Sequence, residues 1–581
     1  MMKTRIVLLV LATIPIIVGC SHAPRPAADS APNSDHAGTF SKWAVACDHP
    51  LASRAGEQML AAGGNAVDAA VAASFCLSVV RPFSCGIGGG GFMVISLPPT
   101  EGDRDGRAVA LDYREACPSA VGPDYYEDLP DGASELGPKA CGVPGTVAGL
   151  LHALENHGTL DRATVLAPAI KAAREGFAAD AFHVGAVEAM SKAWRDHPEL
   201  RPNLALAWYR FTRQGKITAG DLILNEPQAR ALELIARDGA EAFYAGPIAE
   251  AIVSVMEEGD GPMTRDDLAK YTVRERPALE SDIGPWHIVS MPPPSSGGVA
   301  TQQVFGMLER LGGLNNSHEQ DSAQWRHLLI ESFKHAFADR ARWLADDAFT
   351  PVPVADLTAP QYLDSLAGHV NKGHTLASEE YGTAPQLPHD SGTSHISVLD
   401  ANGMAVACSE TINLTWGSCV EVPGFGFLLN DEMDDFTTGS GANAFGLVQS
   451  DRNRPEPGKR PLSSMSPTIV LEDGRPVAIA GASGGPRIIS GTLQVLLSAL
   501  VFGDDAGQAV ARPRLHHQWQ PDEVRVETGW SDDDTLEGLK SRGHNVVSYK
   551  KTVGVVQAIV VKDGRITAAS DPRKGGRPAG R

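Results

Sequence analysis

Residues 391–400 read Ser-Gly-Thr-Ser-His-Ile-Ser-Val-Leu-Asp, and the fold turns on how this stretch is read. His395 to Asp400 and Met404 to Ser409 are strand-like runs joined at Asn402-Gly403, a strong hairpin signal. Ahead of them lies Asn371 to Gly392, rich in Gly, Pro, Ser and His and without period, which predicts a surface segment able to move. A Thr between such a segment and a strand is chemically notable only if the chain is cut in front of it. Cutting at Gly392-Thr393 would give Thr393 a nucleophilic hydroxyl and its own α-amine, whose ordinary pKa of about 7.7 to 8 suits a general base. Taken alone, Thr393 reads as a plain strand residue.

Working outward, the strand Val477 to Ala480 leads into Gly481-Ala482-Ser483-Gly484-Gly485-Pro486 and then a helix, Arg487 to Val501. Free glycine amides at a helix start suit a negative oxygen. The same run satisfies G-x-S-x-G, so a rival reading makes Ser483 a hydrolase nucleophile, with His544 as base and Asp532 or Asp533 as its partner. That reading needs about five parallel strands before the Ser, and long helices stand there instead. Gly86 to Gly91 contains G-x-G-x-x-G, but Phe92 to Leu97 looks like a strand where a dinucleotide site requires a helix. Close backbone packing is the better account of those glycines. Elsewhere the pattern predicts a buried helix over Ala55 to Val80, interrupted near its start by Gly63-Gly64-Asn65, and a strand over Arg107 to Tyr113. Leu204 to Met307 reads as several acidic-faced helices, and Trp325 to Leu344 as a long amphipathic one. No internal repeat is present.

The 581 residues carry 50 Lys+Arg against 70 Asp+Glu, a net charge of −20, which excludes nucleic acid as a bulk electrostatic partner. Sixty glycines and 40 prolines exceed what a helical bundle tolerates and point to a mixed α and β fold. At the N-terminus, Lys3 and Arg5 precede an apolar run, Ile6 to Ile17, that ends in Val18-Gly19-Cys20. This is a signal-peptide pattern, too short to span a bilayer stably, and its end resembles a bacterial lipobox with lipidation at Cys20. The Pro/Ala/Ser-rich residues that follow suit a flexible tether. Seven other cysteines, Cys47, Cys76, Cys85, Cys117, Cys141, Cys408 and Cys419, form no disulfide framework and no zinc spacing, so they read as buried small hydrophobes. No metal and no cofactor is expected.

The blocks GGNAVDAAVAA, SCGIGGGGFM, LDYREACP, MPPPSSGG, TSHISVLD, LLNDEMDDF, RPLSSMSPTIV, GASGGPRII and RLHHQW together closely resemble the gamma-glutamyltransferase (glutathione hydrolase) family, from about Ser41 to Pro572. The resemblance implies an α+β N-terminal nucleophile (Ntn) hydrolase fold, a four-layer αββα sandwich formed by two subunits of one self-cleaving precursor. The N-terminal pattern sets off 1–19, a lipoprotein-type signal peptide, and 20–40, the tether; the resemblance divides the rest into 41–392, the large subunit, and 393–581, the small catalytic subunit. It implies Thr393 as nucleophile and, through its α-amine, base. Thr411 would orient that amine, and Gly484 and Gly485 would form the oxyanion hole. For the substrate it implies Arg114, with Ser463 and Ser464, on the α-carboxylate, and Asn413, Glu432 and Asp435 on the α-ammonium. Arg114 is expected to touch the substrate carboxylate alone. The resemblance implies glutathione or a related γ-glutamyl amide and the two subunits for each other as partners; the lipobox-like end adds a membrane through Cys20, in the periplasmic part of a bacterial envelope.

Three positions depart from the family pattern. Glu432 stands where some bacterial members have Gln, which would make the ammonium site more negative. Ser394 stands beside the nucleophile where Thr is common. Thr437 to Arg460 is about as long as the lid of glutathione-using members, but Phe445 falls where some of them have Tyr, implying a looser gate. Cephalosporin-type acylase activity is a minor alternative, against which the lid length argues. The His516-His517 pair in RLHHQW has no role in this chemistry and reads as a packed structural pair.

Overall fold

A computed structural model describes residues 35–99, 106–315, 322–382, 392–438, 450–530 and 532–581. Strand pairing organises them around two seven-stranded sheets. The first runs, edge to edge, β14 (Ala579–Gly580), β2 (Ala44–Cys47), β8 (Ser394–Leu399), β9 (Ala405–Thr411), β3 (Gly90–Leu97), β4 (Arg107–Tyr113) and β5 (Arg274–Pro277). The second runs β1 (Ala37–Phe40), β13 (Arg565–Ser570), β12 (Val555–Lys562), β11 (Arg475–Ser483), β10 (Thr468–Glu472), β7 (Trp286–Ser290) and β6 (Leu279–Ile283). Every neighbouring pair in both sheets is antiparallel.

Alternation along the first sheet explains the layering. Val45, Cys47, Met93, Ile95, Ile396, Val398, Val406 and Cys408 join a core shared with helices on one side. Their neighbours Ala44, Ala46, Phe92, Val94, Ala405 and Ala407 point the other way, into a core shared with Ile469, Ile479 and Ile559 of the second sheet. Both faces are buried, so these strands read as nearly continuous apolar runs. Helices α1 (Pro50–Ala61) and α2 (Ala66–Val80) cover the outer face of the first sheet. Helices α3 (Gly297–Leu311), α4 (Ala323–Trp343) and α5 (Arg487–Phe502) form the layer beyond the second. The order is helix, sheet, sheet, helix, as the resemblance implies.

Several elements differ from the sequence reading. The helix anticipated over Ala55 to Val80 is two helices: Gly63 at φ +92° ends the first, and Asn65 starts the second with a capping box closed by Asp68. Within Leu204 to Met307 the acidic helices are joined by β5, β6 and β7, where alternating exposure along Leu279–Ile283 marks strand and not helix. Helix α4 is buried from Trp325 to Arg340 on every face, not amphipathic, because it is sandwiched inside its layer. The segment from Asn371 onward is docked as far as it is described: His327 bonds the Asn371 carbonyl at 2.7 Å, Lys334 the Leu376 carbonyl at 2.9 Å and Trp519 the Ser378 carbonyl at 2.9 Å. The stretch read as tether overlaps strand β1, which pairs with β13 from Ala37. Cys20, Phe445 and Ser391 lie outside the described residues. The seven other cysteines are all buried and unbridged. Among the described residues no helix is long and apolar enough to cross a membrane.

Candidate active site

The pairing register brings the candidate residues to one end of the sandwich. In the first sheet Ser394 pairs with Glu410, so Thr393, just ahead of β8, lies beside Thr411 at the end of β9. Thr411 in turn pairs with Gly90 at the start of β3, and Gly91 with Tyr113 at the end of β4, so Arg114 emerges at the same edge. In the second sheet β11 ends at Ser483 and delivers Gly484-Gly485 ahead of α5, while Ser463-Ser464 precede β10. One pocket is lined by Thr393, Thr411, Asn413, Arg114, Glu432, Asp435, Ser463, Ser464 and Gly485; of the predicted catalytic and substrate-binding residues only Gly484 is not in the lining.

The Thr393 hydroxyl donates to the Gly392 carbonyl. Thr411 Oγ1 lies 3.4 Å from Thr393 Oγ1 and donates to the same carbonyl at 3.3 Å, while its own oxygen accepts the Asn413 N–H at 2.8 Å. Thr411 thus touches the carbonyl of the residue in front of Thr393. Behind the nucleophile, the Thr393 carbonyl accepts from Ser84 Oγ at 3.0 Å and Lys574 Nζ at 2.6 Å.

Gly484 has φ +126° and Gly485 φ +57°, values open to glycine at little cost. Among the described residues neither N–H is taken by a protein acceptor. Two free amides at the start of a 16-residue helix form a ready site for an oxyanion. Opposite them, Ser296 donates through N–H at 2.8 Å and Oγ at 2.7 Å to the Ser463 carbonyl, and Ser295 Oγ donates to Met465 O at 2.5 Å. That is the work of the MPPPSSGG block: it fixes the backbone carrying Ser463 and Ser464. The buried Ser464 hydroxyl has no hydrogen-bond partner among the described residues.

Arg114 is 1% exposed and corrects the expectation that it touches substrate alone. One terminal nitrogen pairs with Glu432; the other pairs with Asp435 at 2.5 Å, and Nε donates to the Pro461 carbonyl at 3.2 Å. A guanidinium out of water needs partners before substrate arrives, and the same acids that would take an ammonium supply them. Burial opposes its charge, and Glu432, Asp435 and Glu115 together hold its pKa above the ordinary value. Burial likewise pushes Glu115 up to about 7 and Glu432 well above the carboxylate range, Arg114 only partly opposing it.

The Gly86 to Gly91 run packs backbone on backbone, as expected. A Cβ on Gly89 would lie 2.0 Å from the Thr411 carbonyl and one on Gly88 2.2 Å from the Leu428 carbonyl. The serine-hydrolase reading fails on architecture: Ser483 ends a strand with antiparallel neighbours on both sides, and His544 Nε2 is bonded to His327 Nδ1 at 2.8 Å. With Glu331, those two histidines are the one described group that could hold a metal ion, and each is already engaged: Glu331 accepts from Thr375 at 2.7 Å and from Tyr381. His516 and His517 are buried, bonded to Ser490 at 2.7 Å and Asp522 at 3.0 Å. Sequence reasoning missed Ser84 and Lys574. Ser84 opens the SCGIGGGGFM block, but Lys574 lies near the C-terminus with no motif around it.

The gamma-glutamyltranspeptidase family model matches residues 52–581. The chain belongs to the gamma-glutamyltranspeptidase family. It is 38% identical over 538 residues to the glutathione hydrolase proenzyme of Escherichia coli K12, covering 91% of this chain and 90% of that one. Among solved structures, a gamma-glutamyltranspeptidase from Pseudomonas nitroreducens complexed with L-DON superposes with a TM-score of 0.51 at 35% identity, covering 57% of this chain and 95% of that one. The cephalosporin acylase of Bacillus halodurans superposes with a TM-score of 0.80 over 97% of this chain and 99% of that one; at 24% identity it shares the fold. As a member of this family, the chain is an Ntn-hydrolase-type αββα sandwich.

Proposed function

We propose that this family member is made as a precursor that cuts itself at Gly392-Thr393 and then hydrolyses or transfers the γ-glutamyl group of glutathione and related amides. The observation that carries this reading is the Thr393 hydroxyl against the Gly392 carbonyl, one pocket width from the Arg114, Glu432 and Asp435 cluster. In self-cleavage the Thr393 oxygen attacks the Gly392 carbonyl carbon while Thr411 holds the carbonyl oxygen. The amide becomes an ester on Thr393, its nitrogen takes a proton to become the free α-amine, and water releases Gly392 as a carboxylate. The large subunit then ends at Gly392 and the small one begins at Thr393.

In turnover the α-amine takes the Thr393 hydroxyl proton as the oxygen attacks the γ-amide carbonyl. Gly484 and Gly485 N–H groups stabilise the tetrahedral oxygen, an effect of about 3 kcal/mol per donor in other enzymes. The leaving amine departs with the proton, and water or an amino acid takes the γ-glutamyl group from the ester. Recognition follows from the pre-formed ion cluster. A free amino acid end brings one negative and one positive charge, so it enters as a dipole: its carboxylate on Arg114 with Ser463 and Ser464, its ammonium on Asn413, Glu432 and Asp435. A ligand lacking either charge would strand buried partners.

The N-terminal pattern supports export and a lipid on Cys20, which would hold the enzyme in the periplasmic part of a bacterial envelope. The test of the activity is release of nitroaniline from a γ-glutamyl nitroanilide, and of cysteinylglycine from glutathione, by the purified protein. Turnover that Thr393→Ala abolishes is expected; turnover unchanged in that variant overturns the reading.

A further inference from the structure

We propose that Lys574 is a positioning residue for the nucleophile, an inference that rests on the reading of Thr393 above. Its ammonium is 2.6 Å from the Thr393 carbonyl oxygen, 2.7 Å from Ser84 Oγ and 2.6 Å from Asp48 Oδ2. Ser84 donates to the same carbonyl at 3.0 Å. The post is itself braced: Arg81 donates to the Lys574 carbonyl at 3.0 Å and to the Asp48 carbonyl at 3.1 Å, and Gln557 Nε2 donates to Asp48 Oδ1 at 2.6 Å. None of these groups lines the substrate pocket.

The geometry matters most after cleavage. In the precursor Thr393 is held by the chain on both sides. Once Gly392 leaves, it is a chain end, where ordering is ordinarily weakest. A carbonyl gripped from two sides fixes the first peptide plane of β8 and with it the Thr393 Cα. Thr411 then has only the remaining rotation to hold, which sets the α-amine and hydroxyl in attacking position. Preorganisation of this kind acts on the chemical step and leaves ground-state substrate binding untouched. Ser84 and Asp48 lie in the future large subunit and Lys574 in the small one, so the post also joins the two chains at the nucleophile.

The test compares Lys574→Met and the double variant Lys574→Met/Asp48→Asn with the parent, reading self-cleavage on a gel and kcat and KM for a γ-glutamyl anilide across pH. One lost charge-assisted hydrogen bond predicts kcat lower by at least tenfold with KM within about twofold. The pH profile adds a signature that simple loosening does not. The charged and titratable groups around Thr393 are Lys574 on its carbonyl with Asp48 behind it, Arg114, Glu432 and Asp435 in the shared pocket, and Glu410 and Cys85 beside the next residue, Ser394. Removing Lys574 alone leaves the Asp48 carboxylate to favour the protonated amine, so the acid limb of kcat moves to higher pH. Removing both charges returns the limb to its parent position while kcat stays low. Parent kcat and an unmoved limb in Lys574→Met, or a loss confined to KM, would overturn the proposal. Should the single variant fail to fold, the double variant, free of the stranded carboxylate, decides by its kcat: low supports, parental refutes. If the parent itself turns over no γ-glutamyl anilide, the functional reading falls. The rate of self-cleavage in the double variant then decides this one: slowed supports it, parental overturns it.

Discussion

Replacing Arg114 by Lys keeps the charge and removes the fork. The parent guanidinium reaches Glu432 with one nitrogen, Asp435 at 2.5 Å with another and the Pro461 carbonyl at 3.2 Å with Nε. A single ammonium on a flexible stem cannot span all three and also grip a carboxylate with two parallel bonds. At least one charge-assisted hydrogen bond to the substrate goes, about 1.5 to 3 kcal/mol, so kcat/KM for a γ-glutamyl anilide should fall by roughly 10- to 150-fold, mostly through KM. Arg114→Ala is harsher, since it strands Glu432 and Asp435 in a buried site, and should also lower stability by about 3 to 5 kcal/mol. Self-cleavage is the control. Arg114 has no hydrogen bond to Gly392, Thr393 or Thr411, so Arg114→Lys should mature to the same two chains as the parent. The assay pairs a denaturing gel with steady-state kinetics. A folded Arg114→Lys protein that stays uncut, or one with parental kcat/KM, would refute the reasoning.

Other consequences follow from the same contacts. Thr411→Val removes the hydroxyl that donates to the Gly392 carbonyl at 3.3 Å, so precursor conversion followed on a gel should slow by tenfold or more; conversion at the parental rate contradicts that role. Gly484→Ala puts a Cβ on a residue at φ +126°, a strain of about 1 to 3 kcal/mol, and shifting the turn to relieve it should lower kcat while KM holds. Glu410 is buried, and burial raises its carboxyl from 4.5 to about 7 against hydrogen bonds from Ser74 and Tyr113. The folded state thus keeps a proton that the unfolded chain releases. Stability from this group is full below about pH 4.5 and declines as pH rises through 7, by about 3 kcal/mol in all. Melting curves of Glu410→Gln should show a flatter decline over that range; an unchanged slope would remove Glu410 as its cause.

How much of this was legible in the sequence depends on whether a residue's job is local. The hairpin at Asn402-Gly403 and the turn at Gly484-Gly485 are written in short-range chemistry, and β8, β9 and α5 appear where that chemistry puts them. The glycines at 86–91 were readable as packing because a strand follows them. The break at Gly63-Gly64 is local too: a left-handed glycine ends one helix and the capping asparagine next in line starts another. Strands β5 and β6 were hidden among acidic helices because their alternation is short and half exposed. Helix α4 looked amphipathic because its buried polar residues, Arg326, His327, Glu331 and Lys334 among them, bond to segments remote in sequence. The same remoteness hid Lys574, 181 residues from the carbonyl it holds. Resemblance brought the pocket residues together on paper, but it could not show that Arg114 is already paired with the acids assigned to the ammonium.

The account stands on Thr393 becoming an N-terminus, and the most direct measurement is N-terminal sequencing of the bands that purified parent and Thr393→Ala give on a denaturing gel. A parent band of roughly 20 kDa beginning Thr-Ser-His-Ile-Ser, with Thr393→Ala a single uncut chain, is the predicted result. One uncut chain in both, or a small chain that begins elsewhere, would leave Thr393 without its amine and contradict the mechanism at its first step.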